Sequence, residues 1–131
     1  MTVEMWPAEP VEALLGIEPI EHTDTGATVE LTVDPSHAND HGICHGGIMF
    51  LLADAAMGRA SNSTMSSLAS HAEIDFLTAV PVGARLRATA TLRQERKKLR
   101  IWDARVSVVS ADGQADVVAE FRGRTIQIAS S

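Results

Sequence analysis

Residues 46 to 60 are apolar almost all the way round, and Asp54 is the lone carboxylate among them. A helix with this pattern packs inside a protein instead of lying on its surface. An ionised carboxylate is costly to bury without partners, so Asp54 needs a specific reason to be there. The stretch therefore predicts a buried central helix, from Gly46 to about Ala60, that carries a functional carboxylate.

The predicted helix is preceded by His45 and opens on two glycines, Gly46 and Gly47. A helix N-terminus offers unpaired N–H groups and the positive end of the helix dipole to an anion or a developing oxyanion. No Ser, Thr or Asp stands at the N-cap position, so we expect some of these N–H groups to be free for a ligand unless His45 caps the helix. One segment thus supplies an electrophilic pole and a buried carboxylate, the two halves of a hydrolytic site.

The same residues also have purely structural interpretations. Asp54 can hydrogen-bond to a loop amide or to a helix of a neighbouring subunit, as buried polar groups usually find a partner. Gly46 and Gly47 can serve only to let the helix start pack closely against a strand, and His45 can be a loop anchor.

The spacing of the two groups predicts how the chain assembles. Asp54 follows Gly46 by eight positions, which is roughly 12 Å along a helix axis. One copy of the helix cannot bring both groups to the same carbonyl. If both act, two antiparallel copies lie side by side, and Gly46 of one subunit faces Asp54 of the other in a homodimer with shared sites.

Period-two alternation and turn residues predict an antiparallel sheet around the helix. The apolar parity switches between Ile101 and Trp102, which suggests a bulge or a face exchange there. A sheet that wraps one helix makes an α+β fold. The predicted elements are a short helix at 9–16, a strand at 27–33, a polar loop at 34–44, the central helix, a break at 61–64, and four meandering strands at 68–77, 85–93, 99–110 and 117–128.

Composition limits the class of protein. The 131 residues suit a single domain over 1–131, and the formal net charge of -6 argues against binding to nucleic acid or to an anionic membrane. Cys44 is the single cysteine, so no intramolecular disulfide can form, and a reducing cytoplasm fits best. The longest apolar run, 48–53, is too short to span a membrane, and residues 1–7 show no secretion signal.

Several motifs in register resemble those of hotdog-fold acyl-CoA thioesterases, most closely the phenylacetate-degradation (PaaI-type) branch. An HGG triplet alone is a weak signal, but with an Asp eight positions after its first glycine and the later strand motifs it is strong. Together the motifs span roughly residues 28 to 125. They are Asn39–Gly47, Leu52-Ala53-Asp54, Ser61-Asn62-Ser63, Ile74-Asp75-Phe76-Leu77, the stretch from Gly83 to Ala88, and Phe121-Arg122-Gly123.

The resemblance implies that a cytoplasmic dimer of dimers hydrolyses aryl- or arylacetyl-CoA thioesters, without a cofactor beyond the coenzyme A of its substrate. By this match the Gly46 N–H polarises the thioester carbonyl. Asp54 of the partner subunit activates water or attacks the carbonyl directly, and the two roles stay open. Asn39 and His45 help to position these parts, and Gly47 is expected to contact the substrate.

Two other clusters have competing interpretations. His37, His41 and His45 recur every four residues, but Asn39, Asp40 and Gly42 make a helix improbable there, so we expect no metal site. A basic cluster, formed by Arg93, Arg96, Lys97, Lys98 and Arg100, is either a solvated hairpin tip or a grip on the phosphates of coenzyme A. Arg96 and Lys97 are the expected phosphate contacts.

Three other interpretations compete with thioester hydrolysis. A hotdog hydratase or dehydratase needs a His base and a carboxylate at another spacing, and no equivalent motif stands out. A non-catalytic acyl-CoA sensor would bring an added DNA-binding segment, for which an acidic chain of this length has no room. Cys44 beside His45 suggests a thiol nucleophile, but neighbours in sequence rarely form such a dyad, and a buried structural Cys is expected.

Overall fold

A computed structural model describes residues 7–128. Residues 1–6, where the sequence shows no secretion signal, and residues 129–131 lie outside the described part. In chain order, the helices and strands are α1 (Pro10–Leu15), β1 (Glu18–His22), β2 (Gly26–Thr32), a 3-10 turn (Pro35–His37), α2 (Gly46–Ser61), β3 (Ser67–Phe76), β4 (Arg85–Arg96), β5 (Leu99–Val109) and β6 (Ala115–Gln127). None of the helices among these residues is long and apolar enough to cross a membrane.

The strands form one antiparallel sheet in the order β1-β2-β4-β5-β6-β3. This sheet packs against α2, which confirms the predicted α+β hotdog fold. The prediction that the four strands after the helix meander was wrong for β3, which pairs with β6 and not with β4. The chain therefore crosses from one edge of the sheet towards the other between Phe76 and Arg85, and β3 is left as an edge strand.

β1 was not predicted. Its sequence contains Pro19 and two glutamates, Glu18 and Glu21, and lacks the apolar alternation that indicates a strand. It forms because β2 offers a free edge, to which it adds antiparallel with an irregular register between Pro19 and Glu21. Its charged side chains and proline protect that edge of the sheet from further pairing.

The parity switch near Ile101 and Trp102 marks a bulge, but the bulge is on the neighbouring strand. β5 keeps one inward face, with Arg100 and Trp102 both buried. The extra residue is Arg93 of β4, because Leu92 pairs with Trp102 while Gln94 pairs with Ile101. Ile101 therefore faces outward without any face exchange in its own strand.

The core lies between the concave face of the sheet and α2. Inward residues of β2, β4 and β5 surround α2 residues such as Leu52, Ala56 and Met57, all essentially inaccessible. Gly123 of β6 permits this close approach, because a Cβ there would lie 2.3 Å from the Met57 sulfur. The helix is thus held firmly against the sheet, and its start at Gly46 and its midpoint at Asp54 are fixed relative to each other.

Candidate active site

The start of α2 has one N–H group free. His45 is the N-cap: its Nδ1 accepts a hydrogen bond from Gly47 N at 2.9 Å. Its carbonyl accepts from Ile48 N at 3.0 Å and from Met49 N at 3.4 Å. Within residues 7–128, no acceptor contacts the Gly46 N–H. The helix dipole and this open donor therefore converge on one point.

These contacts separate the roles of the residues predicted at the helix start. His45 caps the helix, which is one of the structural roles considered for it, and its ring accepts the hydrogen bond from Gly47 N–H. Gly47, predicted to contact the substrate, is exposed but has its N–H occupied by His45. Gly46 is the one that offers an unpaired N–H to an approaching carbonyl oxygen.

Phe76, at the end of β3, packs its ring against Gly46. A Cβ built on Gly46 would lie 3.0 Å from Cζ of Phe76 and 3.1 Å from its Cε1. The phenyl ring is 51% exposed, so one side covers the glycine and the other is open. Phe76 was predicted as part of a strand and of a motif that resembles the family, but its contact with Gly46 was not predicted, because that contact joins residues distant in sequence.

Asp54 lies midway along α2 with its carboxylate half-buried. Burial raises its pKa above the ordinary value. In the part of the chain that the structure describes, no hydrogen-bond donor or cation contacts the carboxylate, so a loop amide of residues 7–128 does not account for it. Such a group is a proton acceptor with lone pairs available to a water molecule.

Gly46 and Asp54 do not meet within one protomer. Both are part of the same continuous helix, α2, so their backbones are roughly 12 Å apart along its axis. The structure thus keeps the separation that the sequence predicts, and a single copy holds each group in a different place.

Asn39 organises the loop before the helix. Its side-chain oxygen accepts from His41 N at 2.9 Å and from Ile43 N at 3.4 Å, while its backbone N–H donates to the Ile43 carbonyl at 2.8 Å. Gly42 completes this turn with φ +77°, a conformation that favours glycine. Asn39 is thus placed as a loop anchor that leads the chain into His45.

A groove of about 830 Å³ runs along the Asp54 face of α2. Its lining includes Leu51, Asp54 and Gly58 of α2, Val11 and Glu12 of α1, residues 62–66, which connect α2 to β3, and residues 67–69, which begin β3. The groove therefore joins the candidate carboxylate to a mixed wall of apolar and hydroxyl side chains.

A buried ion pair, which the sequence did not suggest, fixes α1 beside this groove. Arg59 Nη2 lies 2.6 Å from Glu12 Oε1, and its Nε lies 3.0 Å from Glu12 Oε2. Both side chains are almost fully buried. The pair joins residues 47 positions apart, so only the fold brings them together.

The three histidines of the loop have separate surroundings. His37 is buried, with Nδ1 accepting from Asp34 N at 3.0 Å and Nε2 donating to the Leu15 carbonyl at 2.9 Å. His41 is exposed. Among residues 7–128, no three His, Cys, Asp or Glu side chains are grouped as a metal ion requires.

Cys44 is buried, and burial raises its pKa to about 11. A thiol with so high a pKa is protonated at neutral pH, so it is not an activated nucleophile. Its sulfur contacts the carbonyl of His45, at 3.6 Å, and not the imidazole ring.

The basic cluster divides into two parts. Arg93 pairs with Asp103 at 3.1 Å, and Arg100 is buried against Glu95. The exposed remainder is the hairpin tip formed by Arg96, Lys97 and Lys98, where Lys97 turns the chain with φ 56°. The Lys98 carbonyl accepts from Gln127 N, which places the tip near the C-terminal end of α2, opposite to Gly46.

Comparisons with known proteins agree with this geometry. Residues 41–113 match the family model described as the thioesterase superfamily. The acyl-coenzyme A thioesterase PaaI of Escherichia coli (strain K12) is 37% identical over 115 residues, which cover 87% of this chain and 79% of the relative.

Solved structures agree as well. The E. coli PaaI protein from the phenylacetic acid degradation operon superposes with a TM-score of 0.82 at 34% identity, over 94% of this chain and 87% of that one. A variant of the phenylacetic acid degradation protein PaaI from Thermus thermophilus gives 0.85 at 26% identity, over 92% and 100%. The chain therefore belongs to the thioesterase superfamily, as a thioester hydrolase of the PaaI type with the hotdog fold.

Proposed function

We propose that this enzyme hydrolyses acyl-CoA thioesters with aryl or arylacetyl acyl groups, in active sites shared between two subunits of a cytoplasmic homodimer that pairs into a tetramer. The observation that carries the proposal is that, among residues 7–128, nothing pairs with the Gly46 N–H at the start of α2 or with the Asp54 carboxylate on the same helix. The reaction uses no cofactor apart from the coenzyme A of the substrate.

In this mechanism the Gly46 N–H donates a hydrogen bond to the thioester carbonyl. The bond strengthens as negative charge develops on that oxygen, and the positive end of the α2 dipole adds to the stabilisation. His45 and Asn39 act through position: His45 occupies the Gly47 N–H, and Asn39 fixes the loop that enters the helix. Gly47 contributes by keeping the helix start open to the substrate.

Asp54 accepts a proton from the attacking water, or attacks the carbonyl itself, and the thiolate of coenzyme A leaves. Because burial raises the pKa of Asp54, the carboxylate is a stronger base than an exposed aspartate. A single turnover in ¹⁸O-labelled water separates the two roles. General-base catalysis puts the label in the free acid. Nucleophilic attack expels the thiolate and forms a mixed anhydride between Asp54 and the acyl group, and water that opens this anhydride at the Asp54 carbonyl leaves the label in Asp54.

Two features support a site built from two chains. Gly46 and Asp54 of one helix are too far apart to act on one carbonyl. In addition, β3 is a ten-residue edge strand without the proline that β1 carries, and it exposes apolar side chains, Leu68 at 62% and Phe76 at 51%. A second copy that pairs there would bring two α2 helices side by side.

This arrangement also gives the basic hairpin tip a role. In an antiparallel pair, the C-terminal end of one α2 lies on the same side as the N-terminal end of the other. Arg96 and Lys97 of one protomer are then on the side of the partner subunit's Gly46, where the phosphates of coenzyme A can pair with them. The acyl group extends along the groove, whose apolar wall includes Leu51 and Val11 and suits an aryl ring.

A thiol-release assay on matched aryl- and alkyl-CoA thioesters tests the reaction and its substrate class. We expect kcat/KM to be higher for aryl and arylacetyl esters than for straight-chain esters of similar size. Equal or inverted preference would contradict the substrate class, while failure to release thiol from any ester would contradict the activity.

Gly46→Pro and Gly46→Ala form a matched pair for the oxyanion contact. Both variants add a Cβ, but only Pro removes the N–H. Proline is tolerated in the first turn of a helix, and the His45 backbone, with φ -63° and ψ 136°, is in the region that precedes proline. We expect Pro to lower kcat by at least about 100-fold and Ala by less, since Ala keeps the N–H but adds a Cβ 3.0 Å from the ring of Phe76. Equal losses in a background without this ring would place the donor elsewhere.

A further inference from the structure

The phenyl ring of Phe76 contacts the residue that supplies the free N–H. Three ring atoms, Cζ, Cε1 and Cε2, lie 3.0, 3.1 and 3.5 Å from where a Cβ of residue 46 would be. They are the three heavy atoms nearest to that position among those that the structure describes, apart from the local backbone and the two chain neighbours. The ring therefore forms the wall against which the first residue of α2 rests.

The backbone does not require glycine at position 46. Gly46 is absent from the glycines with positive φ, which are Gly16, Gly42, Gly83 and Gly113. Its conformation is one that any residue adopts at the start of a helix. The limit on side-chain size at position 46 comes from the ring, because a methyl group there would lie 3.0 Å from Phe76 Cζ, and the ring would have to shift by a few tenths of an ångström.

We infer that Phe76 is a positioning residue for the oxyanion donor: its ring packs on the Cα of Gly46 and sets the direction in which the N–H points. The inference rests on the proposed role of Gly46. The peptide plane that carries the Gly46 N–H is held on one side only, through the His45 carbonyl, which accepts from Ile48 N at 3.0 Å and from Met49 N at 3.4 Å. Its N–H has no partner among residues 7–128, so that side of the plane can tilt. Contact on the Cα restrains that tilt, so the donor is aimed before the substrate arrives.

The ring is itself well placed to act as a restraint. Phe76 pairs with Ala119 of β6, and the next residue donates a hydrogen bond from Leu77 N to the Val118 carbonyl at 2.8 Å. The pairing with β6 thus holds the backbone at Phe76 and at the residue that follows it. Because half of the side chain remains exposed, its burial contributes less to folding than that of a core phenylalanine.

The experiment compares Phe76→Ala with Leu77→Ala. Leu77 is the adjacent residue, with a similar exposed fraction of 57%, and none of its atoms is among the three nearest to the Cβ position of Gly46. We expect Phe76→Ala to lower kcat by about 10- to 100-fold with KM changed less than about twofold, as loss of orientation does. Leu77→Ala should leave both constants near those of the wild type.

A double-mutant cycle with Gly46→Ala measures whether the two effects on kcat are coupled, which a merely structural role of Phe76 would not produce. Ala retains the N–H but displaces the ring, so Gly46→Ala and Phe76→Ala disturb the same contact. Their effects on kcat should not add: once the ring is gone, the added methyl should lower kcat by no more than about twofold. Thermal unfolding and sedimentation confirm that each variant is folded and assembled.

Three results would overturn the inference. They are an unchanged kcat in Phe76→Ala, a loss confined to KM, and a kcat that recovers when protein concentration is raised, which would assign Phe76 to subunit assembly. Gly46→Pro in the Phe76→Ala background, where the ring cannot clash, tests the underlying role of Gly46 separately. If that variant matches Gly46→Ala in the same background, the proposed oxyanion donor fails, and not only the role of Phe76.

Discussion

The C-terminal end of α2 buries its polar side chains in hydrogen bonds and an ion pair, whereas its start and midpoint leave polar groups open. At the C-terminal end, Arg59 pairs with Glu12, and Ser61 Oγ contacts Ser67 Oγ at 2.6 Å and Thr125 Oγ1 at 2.7 Å. At the start and midpoint, no residue of 7–128 accepts from the Gly46 N–H, and none donates a hydrogen bond or forms an ion pair with the Asp54 carboxylate.

The C-terminal end of α2 therefore contributes to stability, whereas its start and midpoint are available for catalysis. Paired polar groups in the interior hold the helix in register against the sheet and α1, and removing one partner is costly. Unpaired groups are unfavourable for folding but available to a substrate, which is typical of catalytic sites. The comparison predicts that substitutions at the C-terminal end change stability, whereas those at the midpoint and start change turnover.

The largest effect is expected from Glu12→Gln. Gln keeps an oxygen for the Glu9 N–H, which donates to Glu12 Oε1 at 2.8 Å, but it removes the negative charge that lies against the buried Arg59 guanidinium. We expect the free energy of unfolding to fall by about 3–5 kcal/mol, measured by urea denaturation.

A matched control replaces both partners with apolar residues, as in Glu12→Leu with Arg59→Met. Because neither charge of this pair remains, the double variant should recover most of the stability lost in Glu12→Gln. If Glu12→Gln were as stable as the wild type, the ion pair would not be what holds α1 to α2.

Asp54→Asn should show the opposite pattern. The amide cannot accept a proton from water or attack the thioester, so kcat should fall by at least about 100-fold with little change in substrate binding. Near wild-type turnover in Asp54→Asn would remove Asp54 from the mechanism. The variant should also be slightly more stable than the wild type at neutral pH, because the half-buried carboxylate is disfavoured when charged.

The pH dependence follows from the same burial. The folded pKa of Asp54 lies above its ordinary value, so ionisation is harder in the folded protein, and the resulting destabilisation is present above the folded pKa and absent below the unfolded one. The stability gain of Asp54→Asn should therefore disappear at low pH. In the wild type, activity requires the ionised form, so kcat/KM should fall as pH drops through this raised pKa.

A mixing experiment tests whether Gly46 of one chain and Asp54 of another form one active site. Asp54→Asn and Gly46→Pro are each expected to be nearly inactive alone. In a shared-site dimer, one site of the hybrid holds both lesions and the other holds neither, so an equal mixture that exchanges subunits fully should recover about a quarter of wild-type activity. Verified heterodimers that stay inactive would rule out sites shared in this way.

Local sequence patterns were sufficient to predict the elements that flank the site. The apolar run predicted α2 to about Ala60, one residue before its observed end at Ser61, and alternation predicted β2 and most of β4. Asp54 was singled out because it is a carboxylate within an apolar run. Gly46 was singled out because it and Gly47 open the helix directly after His45, which has no hydroxyl or carboxyl group to act as an N-cap. These signals are local because the capping and the burial of a helix depend on residues that are close in sequence.

The parts that were missed depend on contacts between distant residues. β1 lacks its own strand pattern and forms only against β2, and β3 pairs with β6 instead of its neighbour in sequence. The contact of Phe76 with Gly46 and the Glu12–Arg59 pair join elements whose approach no periodicity reveals. The expected bulge was placed on the wrong strand. The change in apolar alternation along β5 accompanies an extra residue in its partner β4, and the sequence of β5 alone does not show on which of the two strands that residue lies.

A smaller effect on stability is expected from Ser61→Ala at the buried end of α2. The change removes the hydroxyl that contacts Ser67 and Thr125, and leaves those groups with one partner fewer. We expect a loss of about 1–2 kcal/mol in the free energy of unfolding and no change in kcat. Ser70→Ala, which alters an exposed hydroxyl, is the control and should be neutral within about 0.5 kcal/mol; a fall in kcat for Ser61→Ala would contradict the division between the two ends.

The smallest effect is expected at the basic hairpin tip, where Arg96 and Lys97 are exposed and have no ion pair within residues 7–128. Contacts from such side chains to the phosphates of coenzyme A are weak and screened by salt. Replacing both with Ala should raise KM for an acyl-CoA several-fold at low salt and leave kcat nearly unchanged, with the difference shrinking as salt is added. A short thioester without the nucleotide serves as the control, and its turnover should not change. An unaltered KM at low salt would leave the tip as a solvated turn and would assign the phosphates to another part of the dimer.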